Sequence, residues 1–391
     1  MMTTPKQKIL NIISENRGLA TILKDISDYA TPGALMKVLK DEKKEFEKFH
    51  GLVNLIKYIY PNIEEEKNWM KEYAECLDVK KQTARYMLEY AEINGLRELK
   101  SKLIDKMIDC GNATSRLWAK VYNYDREYLQ GCISLSETLD GLGSEETKIP
   151  ELKIICKLLK SYCYLDNRSY TMIFETIADI EDKFQEIKDV YIKDLLYGRY
   201  LLLLIGCYVR QNNLELARIQ CKKVITEVSN EYIVSMAYLH LGNSYIIENF
   251  DKAERYLKKG MLKSYGISKR TYEMLITSIN FLYNVWNKKP MYLNHDSELT
   301  SDKIAIAFHY VNDNRNNDAL AVLKSIDVSN INDNDKAFYY YISALIDNNK
   351  KLYCKSLQFF NSSGDVYFKN LPLIKLKNMG IDEDIIELLA M

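Results

Sequence analysis

Two side chains stand out for what they can bind. Asn243 carries a carboxamide, a donor and an acceptor together, which is the pair needed to hold an extended peptide backbone whose own groups have left water. Arg210 carries a guanidinium that can take a terminal carboxylate through a charge-assisted bond, contributing about 1.5–3 kcal/mol. The competing use of Asn243 is a bond to neighbouring backbone inside the protein. Catalytic chemistry finds less support. His50, His240, His295 and His309 are far apart in sequence, and none falls in an H-E-x-x-H pattern or beside a cysteine at metal-ligand spacing. Walker, G-x-G-x-x-G and G-x-S-x-G patterns are missing. The eight cysteines form no C-x-x-C and mostly sit in apolar helical patterns, as reduced core thiols of a cytoplasmic protein do. No enzyme activity, metal or cofactor is expected.

What must position Asn243 is a helical repeat. The stretch from Tyr238 to Gly260, YLHLGNSYIIENFDKAERYLKKG, reads as one helix-turn-helix unit. Tyr238, Leu241, Gly242 and Tyr245 match the W-x2-L-G-x2-Y spacing of a tetratricopeptide (TPR) repeat, and Ala253 takes the small position of the second helix one residue early. Gly242 and Ala253 are small because two helices crossing at close range cannot both carry bulky side chains at the contact. Gly206 and Ala217 repeat the pair 36 residues upstream (242 − 206); Phe308 with Ala319, and then Ala344, continue it downstream. In a TPR stack the residue after the repeat glycine, with others one turn on, lines a concave groove. That places Cys207, Arg210, Gln211, Asn243, His309, Asn312 and Asp313 in the groove.

Composition agrees with an all-α protein. Only 15 Gly and 6 Pro among 391 residues leave long unbroken stretches. A formal net charge of zero excludes a polybasic nucleic-acid coat, so any DNA contact must come from a local patch. The densest apolar run, Tyr200 to Val209, is too short to cross a bilayer and reads as a buried helix. The N-terminus shows no signal-peptide pattern. No membrane association is expected.

Residues 6 to 60 have a different texture. Helical patterns through Ile9, Ile12 and Ile13, then Leu19, Leu23 and Ile26, stop near Asp28 and Tyr29. Thr31-Pro32 is a capped helix start, and the short helix after it, Gly33 to Lys40, turns Leu35, Val38 and Leu39 inward and Met36, Lys37 and Lys40 outward. A supporting helix, Phe46 to Tyr60, ends before Pro61. This is the layout of a helix-turn-helix DNA reader, with Asp28 where glycine would be most comfortable. Ten Lys and Arg against seven Asp and Glu leave a surplus of three over residues 1–60 (10 − 7), which predicts few phosphate contacts and favours two copies on paired half-sites. The alternative is a plain three-helix cap on the solenoid. Lys80, Lys81 and Arg85 open a later helix as flanking phosphate contacts or as a solvated face. Residues 141–150 read as a loop. The last segment ends in an amphipathic helix whose Ile385, Ile386, Leu388 and Leu389 cap the solenoid or join two copies.

Beyond these patterns the chain resembles the AimR receptors of Bacillus phages, the arbitrium proteins. The resemblance is carried in one order by NLIKYIYP, MKEYAECLDVKKQTAR, LEYAEIN, YLHLGNSYIIENFDKA, FLYNVWNKK and LPLIKLKNMG before ELL. It implies an N-terminal helix-turn-helix, a TPR-like C-terminal domain, a dimer closed partly by the last helices and a short secreted peptide as ligand. It also implies that the peptide-free receptor binds DNA and favours lysis, whereas peptide stops this and favours lysogeny. By the same resemblance Asn243 stands at a peptide-contacting asparagine, and Asp365, in SSGDVYFKNLPL, at the acidic residue that receives the peptide's arginine. Gly206 and Arg210 stand where the family has asparagines and Tyr232 where it has an arginine, which implies a different peptide or a carboxylate clamp moved to Arg210.

The expectation is a dimeric, peptide-gated DNA-binding regulator in the host bacterial cytoplasm. Its helix-turn-helix domain covers 1–60 and its TPR-like peptide-binding solenoid, with a C-terminal dimerisation segment, covers 61–391. Expected peptide contacts are Asn243, Asp365, Arg210, Gly206, Tyr232, Tyr200, His309 and Asn312. Expected contacts with a double-stranded DNA operator are Thr31, Met36, Lys37, Lys40, Lys43 and Lys44, flanked by Lys80, Lys81 and Arg85. Two rivals stay open on the residues alone: a TPR adaptor that never touches DNA, and a Rap-like peptide receptor that acts on a signalling protein.

Overall fold

The computed structural model describes residues 3–144 and 147–382; the expected dimerisation residues Ile385, Ile386, Leu388 and Leu389 lie outside them. Among the described residues every regular element is helical, with twenty-two α-helices, one 3-10 turn and no strand. Asparagines stop and start many of them. Asn212, Asn287, Asn314 and Asn348 adopt a left-handed backbone, with φ of 56, 51, 59 and 49°, one or two residues beyond the helices Val190–Arg210, Lys269–Val285, Thr300–Asn312 and Asp333–Asp347. A short side-chain amide tolerates that region better than most residues. Asn213, Asn249 and Asn349 then cap the next helix by accepting first-turn N–H groups at 3.4, 3.0 and 3.0 Å. The adjacent pairs Asn212-Asn213 and Asn348-Asn349 thus make tight reversals.

The chain forms two compact units whose boundary falls between Tyr200 and Leu201, inside the helix Val190–Arg210. In the first, Thr31 accepts the Ala34 N–H at 3.1 Å and starts the helix Pro32–Lys40, as its sequence anticipates. Leu35, Val38 and Leu39 are buried, while Lys37 and Lys40 are exposed. Asp28 takes the left-handed conformation expected of it, with φ 58°. The supporting helix begins at Phe49, not at Phe46, because the Phe46 ring is buried edge-on between Tyr29 and Tyr73, at 6.3 and 6.0 Å. Lys6 is buried and its ammonium donates to the Val38 and Asp41 carbonyls at 3.1 and 2.8 Å and to that of Lys44. A cation on the last carbonyls of Pro32–Lys40 opposes the negative end of that helix and fixes the segment that follows. The expected loop at 141–150 is shorter than predicted: Leu142 is buried, and its burial holds both neighbouring glycines in the helix Leu135–Ser144. Deeper in this unit Arg199 donates to both Glu89 oxygens at 2.8 and 2.7 Å and to the Tyr162 hydroxyl at 3.3 Å.

In the second unit Leu214–Glu227, Glu231–Asn243, Phe250–Ser264 and Lys269–Val285 pack in succession, followed by the pairs Thr300–Asn312 with Asn316–Lys324 and Asp333–Asp347 with Lys350–Ser363. The layout is TPR-like. One repeat is incomplete, since Lys269–Val285 leads into an irregular stretch over 286–299 instead of a partner helix. Asn280 fixes that stretch by donating to the Tyr292 carbonyl at 3.0 Å and accepting the Tyr292 N–H at 3.2 Å.

Gly242 does what the repeat pattern requires. A Cβ there would stand 2.6 Å from Leu257 Cγ and 3.2 Å from the Leu257 backbone nitrogen, and Leu257 is fully buried. Gly242→Val is therefore expected to cost about 1–3 kcal/mol by overpacking, more than the helix-propensity gain of up to about 1 kcal/mol. Urea unfolding reads this as a lower midpoint; an unchanged midpoint means the helices do not cross here.

Candidate functional site

Four helices of the second unit converge on a cavity of about 170 Å³. Asn243 and Ile246 come from the end of Glu231–Asn243 and its turn, Ser278 and Phe281 from Lys269–Val285, Ile304 from Thr300–Asn312, and Asn334, Asp335 and Phe338 from Asp333–Asp347; Phe368 completes the lining. Its apolar part is a triangle of rings, with Phe281 5.1 Å from Phe338 and 5.2 Å from Phe368, and Phe338 5.6 Å from Phe368. Edge-to-face packing at these distances makes a rigid wall.

The polar part is unusual. Asn243 Oδ1 and Asn334 Oδ1 are both buried, and neither accepts a hydrogen bond from the described residues. An unmet buried acceptor costs about 1–3 kcal/mol, so two in one cavity make it the candidate site for a ligand that carries donors. Burial also pushes the Asp335 carboxyl above the usual carboxylate range, against the Asn332 amide that donates to it at 2.8 Å.

A larger groove nearby, about 770 Å³, is lined by Gln211, Arg218, Glu248 and Tyr367. Its groups satisfy one another. Arg218 donates to Ser244 Oγ at 3.1 Å, Glu215 at 2.7 Å and Glu248 at 2.6 Å, and lies 3.8 Å over the Tyr245 ring. The Tyr367 hydroxyl donates to the Ser244 carbonyl at 3.2 Å and accepts the Ile247 N–H at 3.1 Å. This is a brace for the 244–248 turn; the smaller cavity, with its unmet oxygens, is the better site.

Of the predicted groove residues only Asn243 lines that cavity. Asp365 acts beside it: Oδ1 accepts the N–H groups of Tyr367 and Phe368 at 3.2 and 2.9 Å, setting the Phe368 ring, while burial raises its carboxyl against those two bonds. His309 is buried with Nε2 3.3 Å from Asp313 at the end of its own helix, and Asn312 donates to the Asn284 carbonyl at 2.8 Å, which ties that helix to Lys269–Val285. Tyr200 is buried, its hydroxyl 3.1 Å from Glu181. Arg210 is exposed, and Gly206 and Tyr232 are partly so. Burial and then the charge of Arg210 push His240 down to about 4, leaving it neutral near neutral pH. Asn334, Asp335, Phe338 and Phe281 were not anticipated. Asn334 and Asp335 sit in a run, NDND, that reads as an ordinary helix start, and Asn332 is indeed its cap.

In the first unit Thr31, Lys37, Lys40, Lys43, Lys44, Lys80 and Lys81 are exposed, and Met36 is half-buried. Lys81 donates to the Lys43 carbonyl at 3.3 Å, which joins the later basic helix start to the segment after Pro32–Lys40. Arg85 is engaged within the fold, donating to the Lys80 carbonyl at 3.0 Å and Ser115 Oγ at 3.1 Å.

Fold and site define a class, an all-α helix-turn-helix protein with a TPR-like repeat unit that carries a partly unsatisfied pocket. A family model described as AimR transcriptional regulator-like matches residues 65–378. The AimR transcriptional regulator of Bacillus phage SPbeta is 32% identical over 367 residues, 94% of each chain, and that of Bacillus phage phi3T is 29% identical over 382 residues, 98% of this chain and 100% of that one. A solved phAimR structure superposes with a TM-score of 0.85 at 29% identity, covering 99% of this chain and all of that chain. A phAimR structure described as ligand-bound gives 0.70 at 30% identity, covering 86% of this chain and 99% of that chain. The chain belongs to the AimR transcriptional regulator family, whose members are regulators and not enzymes. Among the described residues no helix is long and apolar enough to cross a membrane.

Removing an unmet oxygen should stabilise the free protein. Asn334→Leu is expected to raise the unfolding free energy of the ligand-free protein by about 1 kcal/mol, read as a higher urea midpoint. A lower midpoint means that Asn334 already has a partner.

Proposed function

We propose that this chain is a phage-encoded, cytoplasmic, dimeric DNA-binding regulator gated by a short secreted peptide. The peptide-free dimer binds its operator through residues 1–60, and peptide in the repeat cavity switches that binding off, moving the host from lysis towards lysogeny. The observation that carries the reading is the pair of unmet carboxamide oxygens, Asn243 and Asn334, beside an aromatic wall. An extended peptide supplies backbone N–H donors to such oxygens and apolar side chains to such a wall. Asp335 and Asp365, two partly buried carboxylates, suit a cationic peptide side chain.

Gating follows from geometry. A peptide held by Asn243 on one helix and by Asn334 on another fixes their separation, and it shifts the protein only by its differential affinity for the two arrangements. A coupling of about 1–3 kcal/mol changes operator occupancy roughly 5- to 150-fold. The three-charge surplus of the reader (10 − 7) makes one copy a weak binder, so two copies on paired half-sites supply the affinity.

The test is operator binding with and without the peptide encoded by a small reading frame beside the gene. For the wild-type protein the peptide should weaken binding within that range, and Asn243→Ala should blunt the response while leaving peptide-free operator binding intact. An unchanged response in the variant removes the cavity from the gate. Binding no tighter than to random DNA at moderate salt removes the reader.

A further inference from the structure

In the first unit the outer face of Pro32–Lys40 carries an unusual set of side chains. Gly33, Met36, Lys37 and Lys40 fall at i, i+3, i+4 and i+7, so one side of the helix holds all four. The opposite side, Leu35, Val38 and Leu39, is buried. Lys37 and Lys40 are exposed, and their ammonium groups make no ion pair or hydrogen bond among the described residues. The carboxylates that follow the helix are engaged elsewhere. Asp41 accepts the Lys43 N–H at 3.0 Å, Glu42 the Thr4 hydroxyl at 2.6 Å, and Glu45 the Asp78 N–H at 2.9 Å.

Gly33 has no explanation inside the fold. A glycine within a helix costs roughly 0.5–1 kcal/mol relative to alanine. A Cβ at Gly33 would meet nothing nearer than Thr31 Oγ1 at 3.9 Å, an ordinary contact, so packing does not require the glycine. Gly51 in the supporting helix is the contrast, since a Cβ there would run into the Ser27 carbonyl. The remaining explanation for a bare position on an exposed face is the close approach of another molecule to the helix backbone.

The face also limits which base edges it can read. Lysine serves the O6 and N7 acceptors of guanine, asparagine and glutamine serve adenine, carboxylates serve cytosine, and apolar side chains touch the thymine methyl group. Gly33, Ala34, Met36, Lys37 and Lys40 include groups for guanine and for thymine and none for adenine or cytosine. Thr31 uses its hydroxyl oxygen to accept the Ala34 N–H at 3.1 Å. Ala34 and Met36 are half-buried and offer apolar surface beside the exposed Lys37.

We propose, resting on the operator reading above, that this face enters the major groove with Gly33 against the duplex, that Lys37 reads a guanine, and that Ala34 and Met36 meet thymine methyl groups next to it. Lys40, at the far end of the helix, meets phosphate, which positions the reader and carries no sequence information. Each half-site is then recognised directly through guanine and thymine, and its other positions through the shape of the duplex.

Full-length, peptide-free protein is used to select duplexes from a library with a randomised core. Lys37→Ala, Lys40→Ala and Gly33→Leu are carried through the same library, and the melting of each is followed in parallel. Wild-type protein should enrich paired half-sites that share one guanine flanked by thymine. Lys37→Ala should lose the preference at that guanine and bind the enriched duplex at least about tenfold more weakly, whereas Lys40→Ala should weaken all sequences alike. Gly33→Leu should melt no lower than wild type, because the helix gains propensity and the side chain has room, yet bind the enriched duplex at least about tenfold more weakly. A wild-type protein that enriches no duplex removes the operator reading, and this proposal falls with it. If wild type enriches a motif, the operator reading stands and the variants decide: an unchanged motif or an equal loss across all sequences in Lys37→Ala, or full affinity in Gly33→Leu, overturns the proposal.

Discussion

At Gly242 the helices Glu231–Asn243 and Phe250–Ser264 come so close that no side chain fits between them, and the polar geometry of the second unit depends on that contact. The residue after the glycine is Asn243, so the depth of the crossing fixes where the carboxamide points. The helix ends there, and the 244–248 turn that follows is held by Arg218 from one side and by Tyr367 from another. Next to that crossing and turn, the Asn243 Oδ1 is buried without a donor among the described residues. The cost is an unmet oxygen inside the fold, which the proposed peptide would remove.

The reader obeys a comparable constraint with charge in place of size. Buried Lys6 closes the end of Pro32–Lys40 by satisfying three carbonyls, and the same contact anchors the segment bearing Lys43 and Lys44. Under the proposed function, exposed lysines on a braced frame would meet phosphates without reordering.

Much of this was legible in the residues. Small side chains at repeat spacing locate the crossing, because only a close approach demands them. Thr31-Pro32 and Asp28 locate the turn and the capped helix from local chemistry alone. Asn243 could be singled out because a polar side chain next to a repeat glycine must face either a groove or a neighbour. Its cavity mate could not. Asn334 lies 91 residues later (334 − 243), in a run that a helix start explains completely, and periodicity shows which face turns inward without showing that the facing helix leaves a gap. Phe281 and Phe338 were hidden likewise, since an inward aromatic reads as core until a hollow is found beside it. The incomplete repeat escaped because Phe308 and Ala319 keep the repeat spacing across the irregular 286–299 stretch.

The central claim is that one ligand joins Asn243 to Asn334 and so ties together helices far apart in sequence. Amide hydrogen exchange of the full chain, with and without the peptide encoded beside the gene, tests it directly. The account requires protection to rise together in Glu231–Asn243, Lys269–Val285 and Asp333–Asp347, since opening any one of them then breaks the shared contact. Protection confined to other helices, or no change at saturating peptide, contradicts it.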